Sequence, residues 1–270
     1  MVSSQRVVLI TGASSGIGRI CATHLQQRGY RVYGTSRRPT QSLPYTLLEM
    51  NVDDDADVQR GIERIVAETG RLDVVVNNAG YSLVGAVEET SIEEAQAHFE
   101  TNFFGALRVC RAALPVMRQQ RHGYVVNISS LGGQIGLPFQ GIYSATKFAL
   151  EGMTEALRLE VRPFGIHAVL IQPGDCATGL TGSRRHTAES ANGSAYQPQF
   201  EATVQRIQAD EARGGSPDAV ARLLERIITA RSPKPRYRVG PFIEQLAVYA
   251  KPNLPGNVFD WIMRQFYQLP

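Results

Sequence analysis

The sequence predicts an α/β protein: a single doubly wound domain with a parallel sheet of about seven strands and helices on both faces. Short β-branched runs alternate with longer helical patterns, the rhythm of βαβ units. The short runs are almost continuously apolar, as strands covered on both sides must be.

In order, the strands expected are Val7–Ile10, Arg31–Thr35, Thr46–Met50, Val74–Asn77, Tyr124–Ile128 and His167–Ile171, with Tyr237–Val239 a weaker seventh. Helices fill the gaps. Ile17–Arg28 follows a glycine cluster, and Asp55–Thr69 keeps Val58, Ile62, Ile65 and Val66 on one face. Ser91–Met117 reads as one long helix that should stop or kink at Pro115. Tyr143–Val161 is strongly helical, and Pro217–Thr229 has Ser216 as its N-cap. The polar stretch Thr181–Gln199 predicts a mobile loop, with a lid and a segment without a role both open. Within it, Arg184 and Arg185 read as solvated, with contact to an anionic substrate as the alternative. Phe259, Ile262, Met263, Phe266 and Leu269 recur at near-helical spacing, with Trp261 and Tyr267 nearby, as in an amphipathic helix packed on the core or over a cleft. No domain boundary is visible. Residues 1–270 read as one domain, with a substrate loop at about 179–215 and a C-terminal extension at about 241–270.

Composition narrows the function classes. With 270 residues, 43% of them apolar, the chain can bury a sizeable core. The net charge is +3 and the charges are spread evenly, so no basic face predicts nucleic-acid binding. Cys21, Cys110 and Cys176 are far apart and odd in number, which predicts reduced thiols and a cytoplasmic setting. No apolar run approaches the ~20 residues of a membrane span, and Val7–Ile10 is too short for a signal peptide. Membrane contact through the C-terminal helix would have only Arg264 as a cation to assist it. His24, His98, His122, His167 and His186 show no metal-ligand spacing, so no metal is expected and they read as structural or surface residues.

The first strand runs into Thr11-Gly12-Ala13-Ser14-Ser15-Gly16-Ile17-Gly18 at the start of a helix. Glycines there let the backbone turn tightly and approach a pyrophosphate, while the helix N-terminus supplies amides and the positive end of its dipole. The spacing is G-x-x-x-G-x-G rather than the generic G-x-G-x-x-G, and its strand–turn–helix setting predicts a dinucleotide turn, with a tight turn that holds no ligand as the alternative. The second strand ends in Thr35-Ser36-Arg37-Arg38, with no acid to accept from a ribose and two guanidinium groups for a 2′-phosphate. NADP(H) is therefore expected through Ser36, Arg37 and Arg38, with NAD as the alternative.

Tyr143 and Lys147 stand four residues apart on one helix face. A phenol can give a proton to a developing alkoxide, or take one from an alcohol if its pKa is lowered. A nearby ammonium and an oxidised nicotinamide would both lower it. Of 28 cationic residues only Lys147, Lys234 and Lys251 are lysines, so a lysine at this position suggests a site that needs a compact charge.

Together with Asn77-Asn78-Ala79-Gly80, Asn102, Asn127-Ile128-Ser129-Ser130 and Pro173-Gly174-Asp175-Cys176-Ala177-Thr178, these motifs make the chain resemble the short-chain dehydrogenase/reductases, in their single-domain form, over roughly Arg6–Leu180. The resemblance implies a catalytic set of Asn102, Ser130, Tyr143 and Lys147. Tyr143 would be the general acid/base and Ser130 would orient the substrate oxygen. Lys147 would lower the tyrosine pKa and bind ribose, and Asn102 would belong to a proton relay. It also implies cofactor contacts at Thr11, Gly12, Ser14, Ser15, Gly16, Ile17, Gly18, Asn51, Val52, Asn78, Ala79, Gly80, Tyr143, Lys147, Pro173, Gly174 and Thr178. Asn51 departs from the Asp usual in the family, though its amide oxygen can still accept.

The stretch from Gly132 through Tyr143 to Gly152 is locally similar to the 17β-hydroxysteroid and retinol dehydrogenases, which act on large apolar alcohols and ketones. The implied function is NADP(H)-dependent interconversion of a carbonyl and a secondary or primary alcohol on an apolar small molecule. The implied assembly is a homodimer, with a tetramer possible, paired through the helices that carry Asn102 and Tyr143. The alternative is a non-catalytic NADP(H)-binding, redox-sensing regulator; such proteins usually lose the Tyr or the Lys, and both are present here.

Overall fold

A computed structural model describes residues 5–38, 42–176, 184–191 and 194–270. A parallel sheet forms its centre, from strands β1 (Val7–Ile10), β2 (Arg31–Ser36), β3 (Thr46–Glu49), β4 (Val74–Asn77), β6 (Gly123–Ile128), β7 (Ile166–Pro173) and β9 (Arg236–Val239). Their spatial order is β3-β2-β1-β4-β6-β7-β9, and every adjacent pair is parallel. The order reverses direction between β1 and β4. Carboxyl ends of strands at such a switch point leave a crevice for a ligand.

Alternation along β1 sorts its side chains into two layers. Val8 and Ile10 pack with Cys21, Ala22 and Leu25 of α1 (Gly16–Gln27) and with Leu224 and Ile227 of α7 (Asp218–Thr229). Val7 and Leu9 face α2 (Asp55–Thr69), α4 (Gly105–Gln120) and α5 (Gly141–Val161), meeting Ile62, Ile65, Val109, Met117 and Leu157. Each large side chain buried this way is worth about 1.5–3 kcal/mol. Local signals agree with the packing. The Asp54 carboxylate accepts from the Asp57 amide to cap α2, and Gly70 closes it in the left-handed region.

Three sequence expectations are revised. The long helix is divided: α3 (Ile92–Phe99), opened by a Ser91–Glu94 capping box, passes into a π-helical turn at Glu100–Phe104 and then into α4. It does not stop at Pro115, which lies inside α4 on its exposed side, where the unmatched carbonyl faces solvent. α7 begins one residue later than expected, with Pro217 rather than Ser216 at the N-cap; the Ser216 hydroxyl still accepts from the Asp218 amide at 3.3 Å. The polar stretch is not simply a loop. Its described part contains β8 (Arg185–His186), paired with β5 (Leu83–Val84), and then α6 (Gln197–Ala212) begins. A two-residue strand held by a partner a hundred positions away carries no local pattern. Past β9, α8 (Phe242–Ala250) and α9 (Gly256–Tyr267) pack on the segment after β6 through Val248, Phe259, Leu131 and Ile135. No helix among the described residues is long and apolar enough to cross a membrane.

Candidate active site

The glycine turn sits at the carboxyl end of β1, beside β4. Gly12 has φ +64° and Gly16 φ +53°, conformations that L side chains rarely adopt. A Cβ on Gly12 would lie 2.8 Å from the Ala79 Cα, and one on Gly18 would lie 2.5 Å from the Gly12 carbonyl. The turn is held from the β4 side. The Thr11 hydroxyl accepts from the Asn78 and Ala79 amides at 3.0 and 2.9 Å, and the Asn78 side chain donates to the Thr11 and Gly12 carbonyls. Asn78 thus braces the turn. Tyr45, which the sequence did not single out, donates to the Ala13 carbonyl at 2.7 Å.

Ser15 is the N-cap of α1 without a capping hydrogen bond, and no acid stands in the first turn, so the amides of Gly16, Ile17 and Gly18 face an acceptor site beside Ser14. At the end of β2, Ser36 accepts from the Arg38 amide, while Arg37 and Arg38 are exposed with no carboxylate partner among the described residues. Asn51 accepts from the Asp53 amide, and Val52 packs beneath Gly105. A cradle too narrow for side chains, a helix N-terminus free of acid and two unpaired guanidinium groups fit a phosphorylated dinucleotide.

Of the residues expected to react, Ser130 follows β6, its hydroxyl accepts from the Gly132 amide at 3.0 Å, and it is near enough to Tyr143 to favour the phenolate. Tyr143 is in the first turn of α5. One turn on, buried Lys147 donates to the Ile128 carbonyl at 2.9 Å, its ammonium 5.8 Å from the centre of the Tyr143 ring. Burial pushes the Lys147 pKa down to about 8, with Glu151 opposing. The expected lowering of the Tyr143 pKa is not achieved by the chain's own groups. Burial raises it, Ser130 opposes, and the charges of Asp175 and Glu211 raise it further.

Asn102 comes from the π-helical turn, a distortion often found at functional sites. It donates to the Tyr81 carbonyl at 3.0 Å, accepts from the Tyr81 amide at 3.1 Å and reaches the Thr146 hydroxyl at 3.4 Å. Gly80 permits this approach, since a Cβ there would lie 2.9 Å from the Asn102 oxygen. His98, one turn before Asn102, is fully buried, with its ring 4.6 Å from Tyr81 and 6.2 Å from Tyr143. Burial holds its pKa near 4, so it is neutral.

The far wall was not anticipated. Pro173 and Gly174 end β7, where a Cβ on Gly174 would strike the Glu244 carboxylate. Thr178 lies outside the described residues. Arg184, expected in solvent, has a side chain only 3% exposed and is paired with Glu211, whereas Arg185 lies 4.3 Å over the Tyr81 ring. The charges of Asp175 and Glu211 thus reach the phenol from two separate segments, with Glu244 of a third against Asp175, a convergence no local spacing announces. Between the Ser130 and Tyr143 segments, Phe139 holds φ +55°, a costly conformation for a bulky side chain. It borders an open cleft of about 580 Å³ lined by Ala86, Val87, Pro138, Tyr196 and Leu269.

Residues 6–189 match the family described as short chain dehydrogenase. The chain belongs to that family. The match brings with it the family's NAD(P)-dependent oxidoreductase chemistry. This short-chain dehydrogenase is 41% identical over 265 residues to the 3-ketodihydrosphingosine reductase of Bacteroides thetaiotaomicron, covering 98% of each chain. It is 33% identical over 280 residues to retinol dehydrogenase 8 of Bos taurus, covering 96% of this chain and 89% of that one. The likeness to retinol dehydrogenases is therefore present but weaker. Among solved structures, a short-chain dehydrogenase from Streptomyces avermitilis superposes with a TM-score of 0.83 at 34% identity, covering 93% of both chains. ElxO with NADP bound gives 0.71 at 28% identity, covering 86% of this chain and 95% of that one.

Proposed function

We propose that this short-chain dehydrogenase is an NADPH-dependent reductase of a long-chain ketone, 3-ketodihydrosphingosine or a close relative. The observation that carries the reading is the 41% identity to a 3-ketodihydrosphingosine reductase across 98% of both chains, with Asn102, Ser130, Tyr143 and Lys147 all present. NADP(H) over NAD(H) is supported by Arg37 and Arg38, exposed at the end of β2 with no acid between them.

When bound, the dinucleotide supplies the hydride that reaches the carbonyl carbon. Ser130 holds the carbonyl oxygen beside the phenol, and Tyr143 gives that oxygen its proton. The raised pKa of Tyr143 suits this direction, because the phenol stays protonated near neutral pH and is an acid before it is a base. Lys147, held by the Ile128 carbonyl, places its charge toward the ribose and the proton path that ends at Asn102. An alkyl chain has room in the cleft beside Phe139. Phe104, Phe148 and Leu159 are exposed on the segments that carry Asn102 and Tyr143, and they support pairing of two copies through that face.

The test is NADPH oxidation by the purified protein with 3-ketodihydrosphingosine, with retinal and a 17-ketosteroid as comparison substrates and NADH as comparison cofactor. Turnover of the long-chain ketone with NADPH, well above the comparison substrates, is expected. Turnover of only the steroid or retinal would reject the substrate assignment, and equal use of NADH would reject the Arg37 argument.

A further inference from the structure

We propose that Asp175 and Glu244 form a subsite for the ammonium of an α-amino ketone, with Arg184 receiving a neighbouring hydroxyl, so that the enzyme selects amino ketones over plain ones. This rests on the long-chain ketone reading above and narrows it to a substrate class.

The end of β7, the last turn of α6 and the first turn of α8 bring four carboxyl groups together: Asp175, Asp210, Glu211 and Glu244. The Glu244 carboxylate accepts from the Asp175 amide at 2.9 Å, an approach that the bare Cα of Gly174 allows. Two of the four are neutralised, Asp210 by Arg206 at 2.7 Å and Glu211 by Arg184. Among the described residues, Asp175 and Glu244 have no ion-pair partner. Both carboxylates are half-buried, which makes a charge without a cation costly, and a chain with 28 cationic residues could have provided one. Burial and the neighbouring acids push the Asp175 carboxyl up to about 7, and Glu244 is raised as well. The described residues contain no group of three or more side chains that could hold a metal ion, so the acids flank a position without enclosing a metal.

Arg184 is the second, independent observation. Its side chain is 3% exposed and one terminal nitrogen goes to Glu211, but Nε and Nη1 have no partner among the described residues. A buried guanidinium with two unpartnered nitrogens, its charge reaching Asp175, asks for an acceptor that the described residues do not supply. Carboxylates short of donors beside a guanidinium short of acceptors match an amino alcohol. The ammonium offers three donors, and the hydroxyl oxygen accepts.

Position agrees with this chemistry. In an α-amino ketone the nitrogen is on the carbon next to the carbonyl, and the carbonyl oxygen belongs at Tyr143. The amine therefore comes near Tyr143, whose phenol feels the charge of Asp175. A bound ammonium offsets that negative field, so the Tyr143 proton is released more readily once an amino ketone is in place.

The test compares kcat/KM for 3-ketodihydrosphingosine with that for the 1-hydroxy-3-ketone of equal chain length lacking the amine. Both are measured for the wild type, Asp175→Asn and Glu244→Gln, with NADPH fluorescence titration confirming that each variant folds. The wild type should favour the amino ketone by about ten- to a hundredfold, the range for a hydrogen bond to a charged group, and either variant should move the ratio toward one. A wild-type ratio near one, or variants that keep the full ratio, overturns the subsite and leaves the long-chain reading standing. NADPH binding without turnover of either ketone overturns both.

Discussion

The strands around the glycine turn and the helices that cover the mouth of Tyr143 differ in how completely they are buried. Every residue of β1 and β4 is inaccessible or nearly so, and most polar groups beside them are matched: Thr11 with Asn78 and Ala79, and the Asn77 amide nitrogen with Asn127, while the Asn77 oxygen has no partner among the described residues. In α8 only Val248 is buried, while Phe242, Ile243, Leu246 and Tyr249 stand exposed, and Glu244 has no ion-pair partner among the described residues. One region satisfies most of its own chemistry internally. The other leaves charges and apolar surface for something else to complete. On the proposed reading, stability resides in the cofactor half and selectivity in the cover, because a site that must release its ligand cannot close all its interactions in the ligand's absence.

The largest expected effect lies where the two regions meet. Tyr143→Phe removes only the phenolic oxygen and should lower kcat by about 10²–10⁴-fold while NADPH still binds; single-turnover measurement of NADPH absorbance reads it, and a variant that kept its rate would remove the proton donor from the scheme. Next is a paired stability measurement. Leu170→Ala, in fully covered β7, should lower unfolding free energy by about 2–5 kcal/mol, whereas Trp261→Ala, at 60% exposure on α9, should change it by no more than about 0.5 kcal/mol. Equal losses in urea titration would erase the contrast between core and cover. Third, Arg37→Asp should weaken NADPH binding by about ten- to a hundredfold and leave NADH little changed, as read by fluorescence titration.

The smallest effects are in pH dependence, and the two regions should respond with opposite sign. His98 in the cofactor half has a folded pKa near 4 against an ordinary 6.5. Between those values the unfolded chain takes up a proton that the folded chain refuses, so stability falls as pH drops through that window. His98→Gln should flatten this loss. Asp175 in the cover has a folded pKa near 7 against an ordinary 3.8, so the folded chain holds the extra proton and stability rises as pH falls from 7. Asp175→Asn should therefore raise the Tm above pH 7, where the wild type carries a half-buried charge with no ion-pair partner among the described residues. Tm profiles of both variants that shifted in the same direction would show that the two groups do not differ in this way.

The two regions also differ in how far they could be read in advance. Strands β1, β2, β4, β6 and β7, the glycine turn and the Tyr143–Lys147 pair were legible because each is a local pattern, an apolar run or a fixed spacing. The π-helical turn at Asn102 was not, since nothing in Glu100–Phe104 departs from a helical pattern; it shows only once Asn102 is bonded to Tyr81. His98 was read as structural or surface because a lone histidine on a helix has no local partner. Its setting against Tyr81 and Tyr143 is made by chain reversal. Arg184 was misplaced for the same reason. Its burial depends on Glu211, 27 positions away.

By itself the sequence determined the parallel sheet, the glycine turn, the acid-free Arg37–Arg38 pair after β2 and the Tyr143–Lys147 spacing, because helix period, strand alternation and glycine spacing act over a few residues. The tertiary structure decided the protonation states and the far wall. Burial, not the nearby lysine, sets the pKa of Tyr143, and only the packing of α6 and α8 over the end of β7 places Glu211 and Glu244 against Asp175. Charge and desolvation are properties of a neighbourhood in space, and that neighbourhood exists only after the chain has folded.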